Sequence, residues 1–164
     1  MSQTLPDRES VLREKADHPA VAAIVAWNPE ALADARWDRD ELTLTIAREQ
    51  IVAAARTIQQ AGYNFLEDVT AVDWLPAVPR FQISYHIVSH SFKERIRLRV
   101  MVDEAAASVD SITSVWPSAD YYEREVFDLF GVYLEGHHNL RRIMMPDDWT
   151  GHPLRKDYPV EGYR

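Results

Sequence analysis

The chain has 164 residues, no cysteine and a formal charge of −8, with 46% hydrophobic and 27% charged residues. That is the length of one domain with ordinary globular composition, enough to bury roughly 70% of its unfolded surface. The missing cysteine excludes disulfides, a thiolate nucleophile and cysteine-held zinc or iron–sulfur clusters, and the acidic balance argues against general nucleic-acid binding and, more weakly, against docking on anionic lipid.

Residues 1–41 are expected to form an N-terminal arm. Its start, MSQTLPDRESVLREK, lacks the apolar core of a secretory signal. Asp7 is placed to cap a short helix through Lys15. His18-Pro19 breaks it, Ala20 to Trp27 forms a second short helix, and Asn28-Pro29 breaks again. The Ala20–Trp27 run is the longest apolar stretch and is too short to span a bilayer.

Leu42, Leu44 and Ile46 alternate with Thr43 and Thr45, which predicts a half-buried strand. A helix follows from about Arg48 to Ala61, with Ile51, Ala54, Ala55 and Ile58 on one stripe and Gly62 as its stop. Phe65 to Val72 predicts a second strand, and Asp73-Trp74-Leu75-Pro76 turns the chain. Phe81, Ile83, Tyr85 and Ile87 alternate as a third strand; Ile96, Leu98, Val100 and Val102 make a fourth, paired with it as an antiparallel hairpin. The other face of that fourth strand carries Arg95, Arg97 and Arg99. At this net charge the row suits a carboxylate-paired face, or one turned to an acidic partner protein, better than a nucleic-acid grip. Asp110 is placed to cap a short helix ending at Trp116-Pro117.

The most informative stretch runs from Ser118 to Pro159. Asp120-Tyr121-Tyr122-Glu123 has the spacing of a capping box, and Gly131 follows Phe130 as a left-handed helix stop. On a helical wheel Tyr122, Val126, Phe127, Leu129 and Phe130 fill one apolar arc, while Arg124, Glu125 and Asp128 lie opposite. Glu123 falls inside the apolar arc. It either only closes the capping box or is a partly buried carboxylate paired to arginine, with Arg141, Arg142 and Arg155 the nearest bases. Beyond Gly131 periodicity ends. The remaining chain mixes ions with apolar anchors (Leu140, Ile143, Met144, Met145, Trp149, Leu154, Tyr158), unlike a disordered linker. The predicted architecture is α+β: a small, mostly antiparallel four-stranded sheet with helices on one face and a long extended C-terminal strap. Its parts are an arm (1–41), an α+β domain (42–131) and a tail (132–164).

Chemistry on the chain itself finds little support. His137, His138 and His152 with Glu135, Asp147 and Asp148 could ligate a metal, as in a zinc-dependent hydrolase, but match no standard spacing, and adjacent histidines usually point apart. The pairs Glu125/Asp128 and Asp147/Asp148 show no cleft for acid–base work. With five glycines and no Gly-x-Gly-x-x-Gly, P-loop or nucleophile elbow, neither a nucleotide, a flavin nor a serine triad has a recognisable seat.

The motif as a whole is specific: Glu123-Arg124-Glu125-x-x-Asp128-Leu129-Phe130-Gly131, Glu135-Gly136-His137, Leu140-Arg141-Arg142-Ile143, and Met145-Pro146-Asp147-Asp148-Trp149-x-Gly151-His152-Pro153-Leu154-Arg155-Lys156-Asp157-Tyr158-Pro159. It resembles the C subunit of proton-pumping NADH:quinone oxidoreductase, respiratory complex I. Asp68-Val69-Thr70-x-Val72-Asp73, Arg80-Phe81, Tyr85-His86 and Trp116-Pro117 fit more loosely. His138 departs from the family, which usually has proline there. The resemblance implies a non-catalytic peripheral subunit of the hydrophilic arm, on the cytoplasmic side of the bacterial inner membrane. It implies contact with the large quinone-site subunit and the iron–sulfur subunits, with FMN, iron–sulfur clusters, NADH and quinone all held by other chains. Glu123, Arg124, Glu125, Asp128, Arg141, Arg142, Asp147, Asp148, Arg155, Lys156 and Asp157 are the interface candidates in that reading. Related domains in membrane-bound nickel–iron hydrogenases and formate hydrogenlyase give the alternative.

Overall fold

The structure, a computed structural model, describes residues 7–162. Two short helices open the chain, α1 (Arg8–Glu14) and α2 (Pro19–Trp27). Asp7 caps α1 as expected, accepting the Ser10 amide at 2.8 Å. Pro19 opens α2, where its fixed φ suits the first turn and its missing N–H costs nothing.

Strands β1 (Leu32–Asp38) and β2 (Glu41–Ile46) form a hairpin whose turn residues, Arg39 and Asp40, have φ of 50° and 60°. Both angles positive is the tight turn that follows the strands' own twist. Then come α3 (Ile51–Gln60), β3 (Phe65–Asp73), β4 (Phe81–Ser89), β5 (Glu94–Val102), β6 (Ser108–Asp110), α4 (Ala119–Phe130) and β7 (Tyr133–Glu135).

The main sheet has five strands in the order β1-β2-β5-β4-β3, antiparallel except for the parallel β2–β5 pair. The predicted four-stranded sheet therefore lacked β1. This strand is the sheet edge, and its register slips between Leu32 and Asp34, which breaks the alternation that would have revealed it. The segment expected as an arm also supplies Val11, Ala20, Val21 and Ile24 to the core.

That core is one cluster. Ile83, Tyr85 and Ile87 face Val100, Leu98 and Ile96 across the central hairpin, and Leu42 and Leu44 continue the same layer from β2. Ile51, Ala54, Ala55 and Ile58 of α3 join it, as does Val126 of α4. Each fully buried Ile or Leu contributes about 1.5–3 kcal/mol.

The polar sheet face is carboxylate-paired. Arg95 reaches Glu41 and Glu67, Arg97 reaches Glu41 and His86, and Arg99 reaches Asp34 and Thr45.

Two local expectations fail. No helix runs from Asp110 to Trp116: Ser108–Asp110 is the short strand β6, parallel to β7, and residues beyond it turn to pack on α4. Nor is there a capping box at Asp120. Helix α4 starts at Ala119 after Ser118 with no side-chain cap, and Glu123 is turned into the core instead.

Candidate functional site

Helix α4 positions almost everything of interest, because it carries two wholly buried carboxylates and a C-terminus that the tail closes. Asp128, on the arc expected to face solvent, is buried at 0% exposure. The tail covers it. Its Oδ2 accepts the consecutive amides of Ile143, Met144 and Met145 at 2.9, 2.8 and 2.8 Å, and its Oδ1 meets Arg142 Nη1 at 2.5 Å. Burial pushes the Asp128 carboxyl up, but the amides of Met145 and Ile143 and the Arg142 guanidinium outweigh it and hold the pKa below the usual value.

The same tail satisfies the open carbonyls of the helix end. His152 Nδ1 donates to the Asp128 carbonyl at 2.9 Å, the Leu154 amide to Leu129 at 3.0 Å, and Arg155 Nε to Phe130 at 2.6 Å. These carbonyls have no partner within the helix, and the cation of Arg155 also suits the negative end of its dipole. Arg124 and Arg142 fix the path further: Arg124 donates to the carbonyls of Arg141 and Arg142, and Arg142 to those of Trp149 and Gly151.

Gly131 is required twice over. Its φ is +70°, and a Cβ there would lie 2.5 Å from His152 Cδ2 and 2.8 Å from an Arg155 nitrogen.

A second lock sits at the end of β3. Buried Arg80 binds Asp73 with both oxygens engaged, and also Asp157 of the tail and Glu104. Asp73 in turn accepts the Lys156 amide at 2.8 Å. The Arg80 guanidinium holds the carboxyls of Asp73 and Asp157 below the usual carboxylate range. In the sequence only the looser part of the resemblance touches Arg80, and nothing there pairs it with Asp157, which lies 77 residues away.

The candidate residues thus divide. Arg124, Asp128, Arg142, Arg155 and Asp157 bond within the chain, and Glu123 is buried on Ser111 and Ile112, with no arginine among the described residues in contact. Glu125, Arg141, Asp147, Asp148 and Lys156 are exposed, with charged groups that have no partner among the described residues. Beside them Met144, Trp149 and Leu154 are 61%, 39% and 51% exposed.

The histidines do not converge. His137 and His138 stack with ring centroids 5.1 Å apart, both nitrogens turned to Asp120, so the expectation that neighbouring rings point apart fails; His152 sits at the other end of α4. Among the described residues no three His, Cys, Asp or Glu side chains are grouped to hold a metal, and no helix is long and apolar enough to cross a membrane.

Comparison with known proteins identifies relatives of this chain. The C subunit of NADH-quinone oxidoreductase from Citrifermentans bemidjiense is 49% identical over 80% of this chain and 83% of that protein, and the protein of the same name from Geobacter sulfurreducens is 48% identical over the same shares. Among solved structures, a trypsin-resistant fragment of Nqo5 covers 80% of this chain and 98% of the fragment at 30% identity, with a TM-score of 0.63. A chain of an archaeal membrane-bound sulfane sulfur reductase, a respiratory membrane complex, shares the fold at 22% identity and a TM-score of 0.75, covering 89% of this chain and 86% of that one. The family model described as "Respiratory-chain NADH dehydrogenase, 30 Kd subunit" matches residues 44–164, and the chain belongs to that family.

Proposed function

We propose that this chain is a structural subunit of the hydrophilic arm of a proton-pumping NADH:quinone oxidoreductase. It carries no catalytic residue. It docks on the large quinone-site subunit and beside iron–sulfur subunits, peripherally, on the cytoplasmic side of the bacterial inner membrane. Electron transfer from NADH through FMN and iron–sulfur clusters to quinone belongs to the other subunits, and this chain holds their arrangement. The tail is its docking element.

The observation that supports the tail is the division of labour within it. Its internal ions are consumed in shaping the backbone, which leaves Met144, Trp149 and Leu154 outside with Arg141, Asp147, Asp148 and Lys156, unpaired among the described residues, around them. An apolar centre rimmed by charge is the make-up of a protein interface.

The test is capture of the tagged chain from native membranes in mild detergent, comparing wild type with Met144→Asp/Leu154→Asp. Wild type is expected to bring down iron–sulfur and flavin subunits with NADH:quinone activity. The variant is expected to remain folded and lose them. An undiminished complex from the variant would overturn the docking assignment. Nickel and hydrogen evolution in the wild-type eluate would move the chain to the hydrogenase-type assembly.

A further inference from the structure

The two buried carboxyls of α4 sit in opposite surroundings. Asp128 has three amides and a guanidinium. Glu123 has one amide, Ile112 N–H at 2.7 Å from Oε1, and one hydroxyl, Ser111 Oγ at 2.6 Å from Oε2. Among the described residues no lysine or arginine is in contact with it, although its side chain is wholly buried.

Among the described residues the one basic group close by is His137, whose Nε2 is 4.0 Å from Glu123 Oε2. His137 Nδ1 accepts the Asn139 amide at 3.0 Å. With Nδ1 as an acceptor, Nε2 is the ring's donor in this arrangement. That N–H faces the Asp120 carbonyl at 3.2 Å and the Asp120 carboxylate at 3.3 Å. Among the described residues the other groups that act on Glu123 bring no positive charge: the buried phenol of Tyr85 from β4, which Asp110 of β6 also acts on, and Asp120 from its own helix. His138 is on the outside, turned to Asp120.

We infer that Glu123 is a neutral carboxylic acid in the folded chain, a proton-dependent lock joining α4 to the segment Ser111–Thr113. In this form Oε2–H donates to Ser111 Oγ, Ser111 donates to Thr113 Oγ1 at 2.8 Å, and Ser111 also accepts the Thr113 amide at 3.2 Å. Oε1 still accepts from Ile112. Within this set of Glu123, Ser111, Ile112 and Thr113 each of these hydrogen bonds has one donor and one acceptor, and Glu123 brings no charge into the core. Loss of the proton to solvent keeps the hydrogen bonds and leaves a buried carboxylate with no cation, which is the costly state.

Burial pushes the Glu123 pKa from 4.5 up to about 7, against the hydrogen bonds from Ser111 and Ile112, with Asp120 adding to the rise. The folded state then holds this proton more tightly than the unfolded state. Stability from the lock is fully present below the unfolded value and is lost as pH rises through about 7. Because α4 also carries Asp128, the tail rests on an element whose seating weakens in alkali.

The test compares the full chain with Glu123→Gln, whose amide can make the same hydrogen bonds and cannot ionise. Denaturant unfolding is followed from about pH 5 to about pH 8.5. The wild-type folding constant is expected to fall relative to the variant by up to about tenfold per pH unit below neutrality, so that the variant becomes the more stable above it. The infrared spectrum provides a second readout that needs no variant to fold. A protonated-carboxyl stretch of the wild type should bleach on titration through neutral pH, and Ser111→Ala should shift that band to higher frequency. A stability ratio independent of pH, or no protonated-carboxyl band at low pH that responds to Ser111→Ala, would overturn the inference.

Discussion

On the polar face of the sheet, Arg95, Arg97 and Arg99 point at side chains: Glu41, Glu67, His86, Thr45 and Asp34. Around helix α4, Arg124, Arg142 and Arg155 point at backbone carbonyls of residues 128, 130, 131, 141, 142, 149 and 151. The residue type is the same and the partners are not: among the described residues only Arg142 of the α4 arginines also meets a carboxylate, that of Asp128. A sheet already has its backbone paired, so its arginines only balance charge on a partly wet surface, where such pairs are worth little. Beyond β7 the described tail has no strand or helix, so its backbone groups need other partners, and there each arginine decides where the chain runs. Charge pairing on the sheet follows the fold, whereas at the tail it makes the fold.

The sharpest way to break that contrast is Asp128→Ala. It strips the acceptor from three tail amides and leaves Arg142 without its carboxylate, in a buried place. Loss of one partner from such a site costs about 3–5 kcal/mol. Denaturant unfolding should register it, and limited proteolysis should open first within 141–156.

Glycine offers a paired test of somewhat smaller effect. Gly131→Ala must both hold a left-handed φ and push aside His152 and Arg155, and is expected to cost about 1–3 kcal/mol in thermal or denaturant unfolding. Gly136 has a similar φ of +77° with nothing within 4 Å of an added Cβ. Gly136→Ala should carry only the backbone penalty, toward the low end of that range. Equal costs at the two positions would mean that the tail does not press on Gly131.

At the small end stands Arg95→Ala. Its side chain is 52% exposed and its carboxylate partners remain partly solvated, so the change in stability should stay below about 1 kcal/mol and shrink with added salt.

Much of this is legible in the sequence, and the failures share a cause. The strands β2 to β5, the stripe of α3 and the stop at Gly131 are written in local periodicity and single-residue geometry, so the chain announces them without help from distant parts. The inward turn of Glu123 is visible on the wheel as well. Its partners are not, because Ser111 and Ile112 come from a segment whose aspartate suggests a helix cap. Asp128 lies on the polar arc, which reads as solvent-facing; only the returning tail, 14 to 17 residues on, covers it. Arg80 and Asp157 meet across 77 residues. Strand β1 hides behind its bulge, and β6 and β7, three residues each, are too short to show a period. The family resemblance, carried by the motif in α4 and the tail, locates the important region without revealing its internal wiring.

The central claim is that the tail is folded onto its own domain through Asp128 and the end of α4. Hydrogen exchange on the full chain measures this directly, at the amides of Ile143, Met144, Met145 and Leu154. The structure predicts that these four exchange far more slowly than the freely exposed amides of the chain, and that Asp128→Ala releases the first three while the central strands β4 and β5 stay protected. Exchange of those tail amides at the rate of an unfolded peptide, in a wild-type chain whose sheet is protected, would contradict it.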